Sequence, residues 1–381
     1  MKPHLLVLQA SSLCNLDCAY CYVPDRRNRS VMSEATLRAA LRLLLSPCMA
    51  GDSMRILWHA GEPLAAGVAF FRRANDIIHA CNPRGVTITQ AIQTNGTLIT
   101  EKWCRFFLSA KIHVGLSIDG PAELHDRHRR DRAGRPTHAR TMAGAELLRR
   151  HGIPLHAIAV LTSESLEDAD GVFDFFARAG FESVGFNLEE TEGVHVSRLA
   201  GDDAHVRARY RAFMSRLQER WLRADGRPRI REFEGMRAAI GAFLRNHGYT
   251  RRLDDLVPFR NVVVSRDGYL STFSPELASG TSSDPLRFVI GNVHGTQSIE
   301  ALVASPKLRD LEDQINRGIS RCRNECEYFP ICGGGTAANK FYEHGTFDSA
   351  ETKTCSLECK ELTHVVADGL RRLSRLDGAP S

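Results

Sequence analysis

Several things are missing from this 381-residue sequence, and each absence narrows the reading. No apolar run approaches the roughly 18 residues that cross a bilayer, so no membrane span is expected. A secretory signal is missing too: Met1-Lys2-Pro3-His4 and a short apolar stretch lead into cysteines, not to a small-residue cleavage site. Neither sign of charge dominates. Fifty basic against 45 acidic residues leave a net +5, too weak to argue for a nucleic-acid or membrane partner. There is no internal repeat and no low-complexity tract. With 43% apolar and 25% charged residues the composition is that of globular domains, which excludes disorder and collagen. A cytoplasmic chain is expected.

Cysteine is absent from most of the chain and crowded at two places. Cys14, Cys18 and Cys21 fall within eight residues, and Cys322, Cys326, Cys332, Cys355 and Cys359 crowd the last sixth. Cys48, Cys81 and Cys104 are scattered among leucines and aromatics and are expected as small buried core residues. Eleven is odd, no secretory signal precedes them, and a chain this long needs no disulfide staples. Metal ligation therefore outranks a disulfide framework.

From Leu5 to about Glu190, short apolar or β-branched runs alternate with amphipathic helical patterns, the signature of βα units around a parallel sheet. Strands are expected at Leu5–Gln9, Met54–Trp58, Val86–Gln93, Ile112–Ile118, Leu155–Leu161 and Ser183–Asn187. Helices are expected at Ser33–Leu45 with Ser33 as N-cap, Ala69–Ala80, Glu101–Ser109 capped by Thr100, His138–His151 and Ser165–Ala179. Six strands rather than eight make the expected fold an α/β partial (β/α)6 TIM-like barrel, with the chemistry at the C-terminal strand ends. The barrel is expected over residues 1–225 and a helical linker over 226–260. A cysteine-rich α+β extension over 261–381 opens with a hairpin, Asn261–Val264 and Tyr269–Phe273, turned by Asp267-Gly268. After the hairpin, Gly- and Ser-rich loops are expected around the cysteines.

Cys14-x3-Cys18-x2-Cys21 directly follows the first strand. Three thiolates so close can hold three irons of a [4Fe-4S] cube and leave the fourth open to a ligand; a zinc site completed by His is the rival. This motif, with Tyr20 before its last cysteine, resembles that of the radical S-adenosylmethionine (SAM) superfamily. Further motifs resemble it in order: His59-Ala60-Gly61-Glu62-Pro63, with Ala60 in place of the first glycine; Gln93-Thr94-Asn95-Gly96; and Ser117-Ile118-Asp119-Gly120-Pro121, followed by His125-Asp126 and Arg129.

The resemblance implies a [4Fe-4S] cluster on Cys14, Cys18 and Cys21 whose open iron chelates SAM. The backbone at Ala60, Gly61 and Glu62 would accept from the SAM amine. Ser117 and Asp119 would meet the ribose or carboxylate, with Asn95 and Tyr20 beside them. Arg129 could pair with the carboxylate, and Val160 and Leu161 would flank the adenine. A bland alternative stands beside each, since Asp119-Gly120-Pro121 is also a good turn.

Cys322-x3-Cys326-x5-Cys332, with Cys355 after it, resembles the SPASM-type extension, whose full members bind two auxiliary [4Fe-4S] clusters. Here the hairpin Val262–Leu277 carries no cysteine, and Gly333–Thr336 lacks the later ligand. One auxiliary [4Fe-4S] cluster on Cys322, Cys326, Cys332 and Cys355 is implied, with Cys359 left over and a four-cysteine zinc knuckle as the alternative. Cys326-Glu327-Tyr328-Phe329-Pro330-Ile331-Cys332, then Asn339-Lys340, Glu343-His344-Gly345-Thr346-Phe347 and Ser274-Pro275-Glu276-Leu277 resemble the cyclophane-forming SPASM peptide maturases.

That resemblance implies a ribosomally made precursor peptide as substrate. A 5′-deoxyadenosyl radical would take a Cβ hydrogen, the carbon radical would add to an aromatic ring, and the ring would lose an electron and a proton. Glu276 is the candidate base, with Glu189, Glu190 and Glu192 as rivals. An external donor such as a flavodoxin or ferredoxin is implied; nucleic acid and membrane are not. Only thirteen residues precede Cys14, too few for a fused peptide-recognition domain. The Arg-rich stretch from Arg127 to Arg150 reads mainly as a solvated face. Single-residue oxidation like that of sulfatase maturases, thioether formation and epimerisation remain open, as does a non-enzymatic iron–sulfur or zinc module.

Overall fold

The computed structural model describes residues 3–49, 51–199, 203–296 and 298–377. Six strands run parallel in chain order: β1 (Leu5–Leu8), β2 (Ser53–Trp58), β3 (Thr87–Thr94), β4 (Ile112–Ser117), β5 (His156–Leu161) and β6 (Ser183–Leu188). Each lies beside its predecessor, as right-handed βα crossovers require, so the sheet curls one way and its C-terminal ends share one rim. A short β7 (Arg229–Ile230) pairs with β6. On the other edge, β8 (Asn261–Val264) pairs parallel with β1, Leu5 opposite Asn261 and Leu8 opposite Val264. Antiparallel β9 (Tyr269–Thr272) and β10 (Gly291–Asn292) complete one ten-stranded sheet. The hairpin of the cysteine-rich region thus continues the barrel sheet.

Helices α1 (Glu34–Leu44), α2 (Val68–Ala80), α3 (Glu101–Ala110), α4 (Ala122–His128), α5 (His138–Arg150) and α6 (Ala169–Arg178) make the crossovers. Ser33 caps α1 as expected, its Oγ accepting from Thr36 N at 3.0 Å. Thr100 makes no side-chain cap on α3. The segment at Ser165 begins as a 3₁₀ turn, and α6 starts only where Asp168 accepts from Gly171 N. Trp58, Phe70, Phe71, Trp103 and Phe107 interlock, mostly edge to face, between β2 and the layer of α2 and α3. Cys104 is buried in the core as expected and Cys81 half-buried, but Cys48 is exposed, because it sits in the turn after α1, where no second layer covers it.

Beyond the barrel come α7 (Asp203–Arg223), α8 (Arg231–Arg245), α9 (Ile299–Val303), α10 (Pro306–Glu325), α11 (Phe329–Cys332), α12 (Ala337–His344), α13 (Lys353–Cys355) and α14 (Leu362–Asp377). The twenty-residue α10 lies where loops were expected. Its start is written locally, with Ser305 Oγ accepting from Leu308 N at 3.2 Å and Pro306 in the first turn, and Leu308, Leu311 and Ile315 form its buried stripe. α14 packs on α7 and α8 and ties the C-terminal region to the barrel.

Candidate active site

The loops at the barrel rim surround a cavity of about 340 Å³, within the range of small-ligand sites. Cys14, Cys18 and Cys21 line it, with Tyr20, His59, Ala60, Gly61, Glu62, Asn95, Ser117, Arg129, Val160 and Glu276. Backbone contacts fix the cysteine loop: Cys14 N donates to Arg26 O (3.0 Å), Asp17 N to Arg130 O (2.8 Å) and Ala19 N to His128 O (2.9 Å). Arg132 adds a fork from its Nε and Nη2 to Cys14 O at 2.8 and 2.6 Å, so one residue of the arginine-rich stretch braces the thiol loop. Burial pushes the Cys14 thiol up, and the Cys18 thiol up to about 12, so thiolates at these two positions need a positive group to hold them.

Gly61 is where the second motif meets that loop. At φ +64°, a Cβ there would stand 2.6 Å from Ser11 O and 2.8 Å from Leu13 O. Ala60 keeps φ +72° despite its methyl group. Glu62 is buried and turns inward: its carboxylate accepts from Leu64 N (2.9 Å), Thr94 Oγ1 (2.7 Å) and Asn95 N (2.8 Å), clamping the end of β2 to that of β3. Burial raises its pKa to about 6. Asn95 Nδ2 reaches Asn15 Oδ1 at 2.9 Å.

Asp119 and Arg129 form a buried bidentate pair, Nε to Oδ2 and Nη2 to Oδ1, each at 3.0 Å. Asp119 also accepts from Tyr20 OH and, at 3.0 Å, from Val160 N. Burial works against this carboxylate, yet Arg129 holds it below the usual range. Asp119 does not line the cavity; it binds together three residues that do. Ser117 Oγ accepts from Gln93 Nε2 at 2.9 Å. Leu161 lies in the core, its carbonyl taking Glu189 N.

The rim carboxylates differ sharply. Glu189 is committed to His195 and Arg198, both at 3.1 Å. Glu190 and Glu192 both line the cavity, and burial raises both. Glu276, half-buried, accepts from Ser274 Oγ. Tyr342 OH donates to the backbone carbonyls of Glu276 and Gly280 at 3.2 and 2.8 Å, anchoring that loop to α12.

A second cavity, about 120 Å³, is lined by all five C-terminal cysteines, including the unassigned Cys359. That space would hold several waters, and among the described residues no three His, Cys, Asp or Glu side chains converge on one ion. Cys355 and Cys359 are one helical turn apart, which puts both thiols on one face. The Cys332 thiol is held below its usual range by its neighbour Cys359 and by the N–H groups of Gly334 and Gly335. Gly333, Gly334 and Gly335 all have positive φ, which aims those N–H groups. A groove of about 640 Å³ lies beside both cavities, sharing Leu188, Glu189 and Glu190 with the first and Glu351 and Thr352 with the second.

Glu358, in the turn between those two cysteines, is pushed up to about 8 by burial and by Glu190. The folded chain then keeps a proton that the unfolded chain loses near 4.5, so stability should fall as pH rises from about 4.5 to about 8. In thermal unfolding across that window, Glu358→Gln should flatten the slope; parallel curves would show that Glu358 is already ionised.

Arg26, Arg132, Asn15 and Tyr342 escaped the sequence reading, because their contacts join segments far apart in the chain.

Residues 8–192 match the Radical SAM superfamily. The chain is 37% identical over 375 residues to the uncharacterized protein sll1766 of Synechocystis sp., covering 96% of this chain and 92% of that one. A serine-type anaerobic sulfatase-maturating enzyme of Bacteroides thetaiotaomicron is 26% identical over 369 residues, 89% of this chain and 84% of the other. Among solved structures, anSMEcpe with bound AdoMet and the Cp18Cys peptide shares the fold at TM-score 0.77 and 23% identity, over 98% of this chain and 99% of that one. Streptococcus suis SuiB bound to its precursor peptide SuiA does so at 0.66 and 17%, over 93% and 76%. With the three-cysteine loop and the strand-end motifs gathered at one rim, residues 8–192 of this chain form a radical SAM domain.

Proposed function

We propose that this chain modifies a ribosomally made precursor peptide by joining an aromatic ring carbon to a side-chain Cβ. The radical SAM domain over residues 8–192 implies a [4Fe-4S] cluster and SAM. Cys14, Cys18 and Cys21 suit that cluster, being three clustered thiols beside a cavity sized for a small ligand. When bound, the cluster and SAM supply a 5′-deoxyadenosyl radical. The peptide loses one Cβ hydrogen atom, the carbon radical adds to a ring, and the ring then gives up one electron and one proton, for a net loss of two hydrogens.

This chain's residues serve the remaining needs. The Glu62 clamp and the Asp119–Arg129 pair hold the rim rigid. Glu276 is the candidate base: it faces the same cavity as the three thiols, whereas Glu189 is engaged by Arg198 and burial works against ionising Glu190 and Glu192. The five-cysteine cavity is the candidate seat of one auxiliary [4Fe-4S] cluster, which supplies an electron acceptor. An external reductant such as a flavodoxin or ferredoxin is required.

The observation that carries the reading is the cysteine-free hairpin: its Ser274-Pro275-Glu276 loop presents a carboxylate, not a thiol, to the cavity that Cys14, Cys18 and Cys21 line. A second reading, oxidation of a single residue, is favoured by the near full-length similarity to a sulfatase-maturating enzyme. Co-expression with candidate precursor peptides, followed by tandem mass spectrometry, separates them. A loss of two hydrogens with a fragmentation gap between two linked residues supports the crosslink. An aldehyde trapped by hydroxylamine supports oxidation, a blocked cysteine thiol indicates a thioether, and unchanged mass with solvent deuterium indicates epimerisation. About eight irons per chain are expected; about four with one zinc would remove the auxiliary cluster.

A further inference from the structure

Lys340 is the side chain that the proposed chemistry leaves unused. It lies on α12 and is buried, with 3% exposure, in the wall of the five-cysteine cavity. Its Nζ donates to Gly318 O at 2.8 Å and to Cys322 Sγ at 3.2 Å. Among the described residues no carboxylate pairs with it. A buried ammonium without a carboxylate is costly, and it persists where another negative group compensates it. α10 is shaped to admit it: a Cβ at Gly318 would stand 2.0 Å from Phe347 O and 3.1 Å from the Lys340 Nζ.

We propose that Lys340 is a positioning residue that sets the reduction potential of the auxiliary cluster through Cys322. This rests on the reading that the five-cysteine cavity holds a [4Fe-4S] cluster. Each added electron makes the cluster more negative, and a cation that donates an N–H to a ligand sulfur favours the reduced form, raising the potential. A cluster held by these cysteines would take the electron that the ring-centred radical gives up, while the base takes the proton. A higher potential drives that transfer.

The test uses the full chain with Cys14, Cys18 and Cys21 replaced by alanine, so that only the C-terminal site carries iron. If this protein retains no iron after reconstitution, the cluster reading itself fails, independently of Lys340. If it retains about four irons, an EPR-monitored redox titration reads the potential directly. Lys340→Met should move the reduction equilibrium at least tenfold toward the oxidised form, equivalent to about 59 mV more negative for one electron. Lys340→Arg should stay near the parent value. Lys340→Gln keeps an N–H donor without charge and should shift in the same direction by less, so it preserves the test if the methionine variant does not fold. Unchanged potentials in Lys340→Met or, in its place, Lys340→Gln overturn the proposal.

Discussion

Replacing Arg129 by methionine is expected to destabilise the protein by about 3–5 kcal/mol, the loss typical of breaking a buried ion pair from one side. The reason is geometric. Asp119 is 2% exposed and would keep only Tyr20 OH and Val160 N as donors for a charge that now has no cation. Asp119→Asn in the same chain should recover part of the loss, since an amide needs no counter-charge, and a double-mutant cycle on unfolding free energies measures that coupling. The same variants decide what Arg129 does for SAM. If Arg129 also meets the SAM carboxylate, its loss should raise the KM for SAM in 5′-deoxyadenosine formation well beyond the rise in Asp119→Asn. Equal rises would confine it to bracing the rim.

Gly61→Ala should abolish iron at the first site or cut SAM cleavage at least tenfold while leaving the helical content intact. A left-handed backbone costs alanine about 1–2 kcal/mol, but the larger effect is collision. The new methyl group would meet the Ser11 and Leu13 carbonyls, which are backbone and have no rotamer to move to. The loop carrying Cys14 would have to shift, and Glu62 N, which donates to Leu13 O at 2.8 Å, would lose its partner. Ala60→Gly is the control on the adjacent residue. It removes strain at φ +72° and should leave iron content unchanged. Iron and sulfide analysis with 5′-deoxyadenosine assays reads both variants; normal iron and turnover in Gly61→Ala would refute the close-approach argument.

Much of this was legible in the linear sequence. The period-2 and period-3.6 alternation announced the βα units, because each strand must bury a face and each helix a stripe regardless of what lies elsewhere. The Cys14–Cys21 spacing was legible for the same reason: thiols that share one loop are near in the chain. The cysteine-free hairpin and Glu276 could also be read, as a residue type standing where another was expected.

What tertiary structure decided is everything that depends on segments meeting. The hairpin joins the barrel at β1, some 255 residues away in sequence, because β1 offered an open edge and β8 could pair in parallel with it. Asp119 ties Tyr20, Arg129 and Val160 together, contacts that come from the cysteine loop, the end of α4 and strand β5. Cys359 looked surplus because four ligands were already counted; only the π-helical turn at Ser356–Glu361 carries it into the wall with the other four. Lys340 read as one letter of a motif until α10 and α12 closed over it. Local spacing specifies local geometry, whereas burial and pairing across the chain have no local signature, and those were the properties that separated residues facing the cavities from residues that hold them in place.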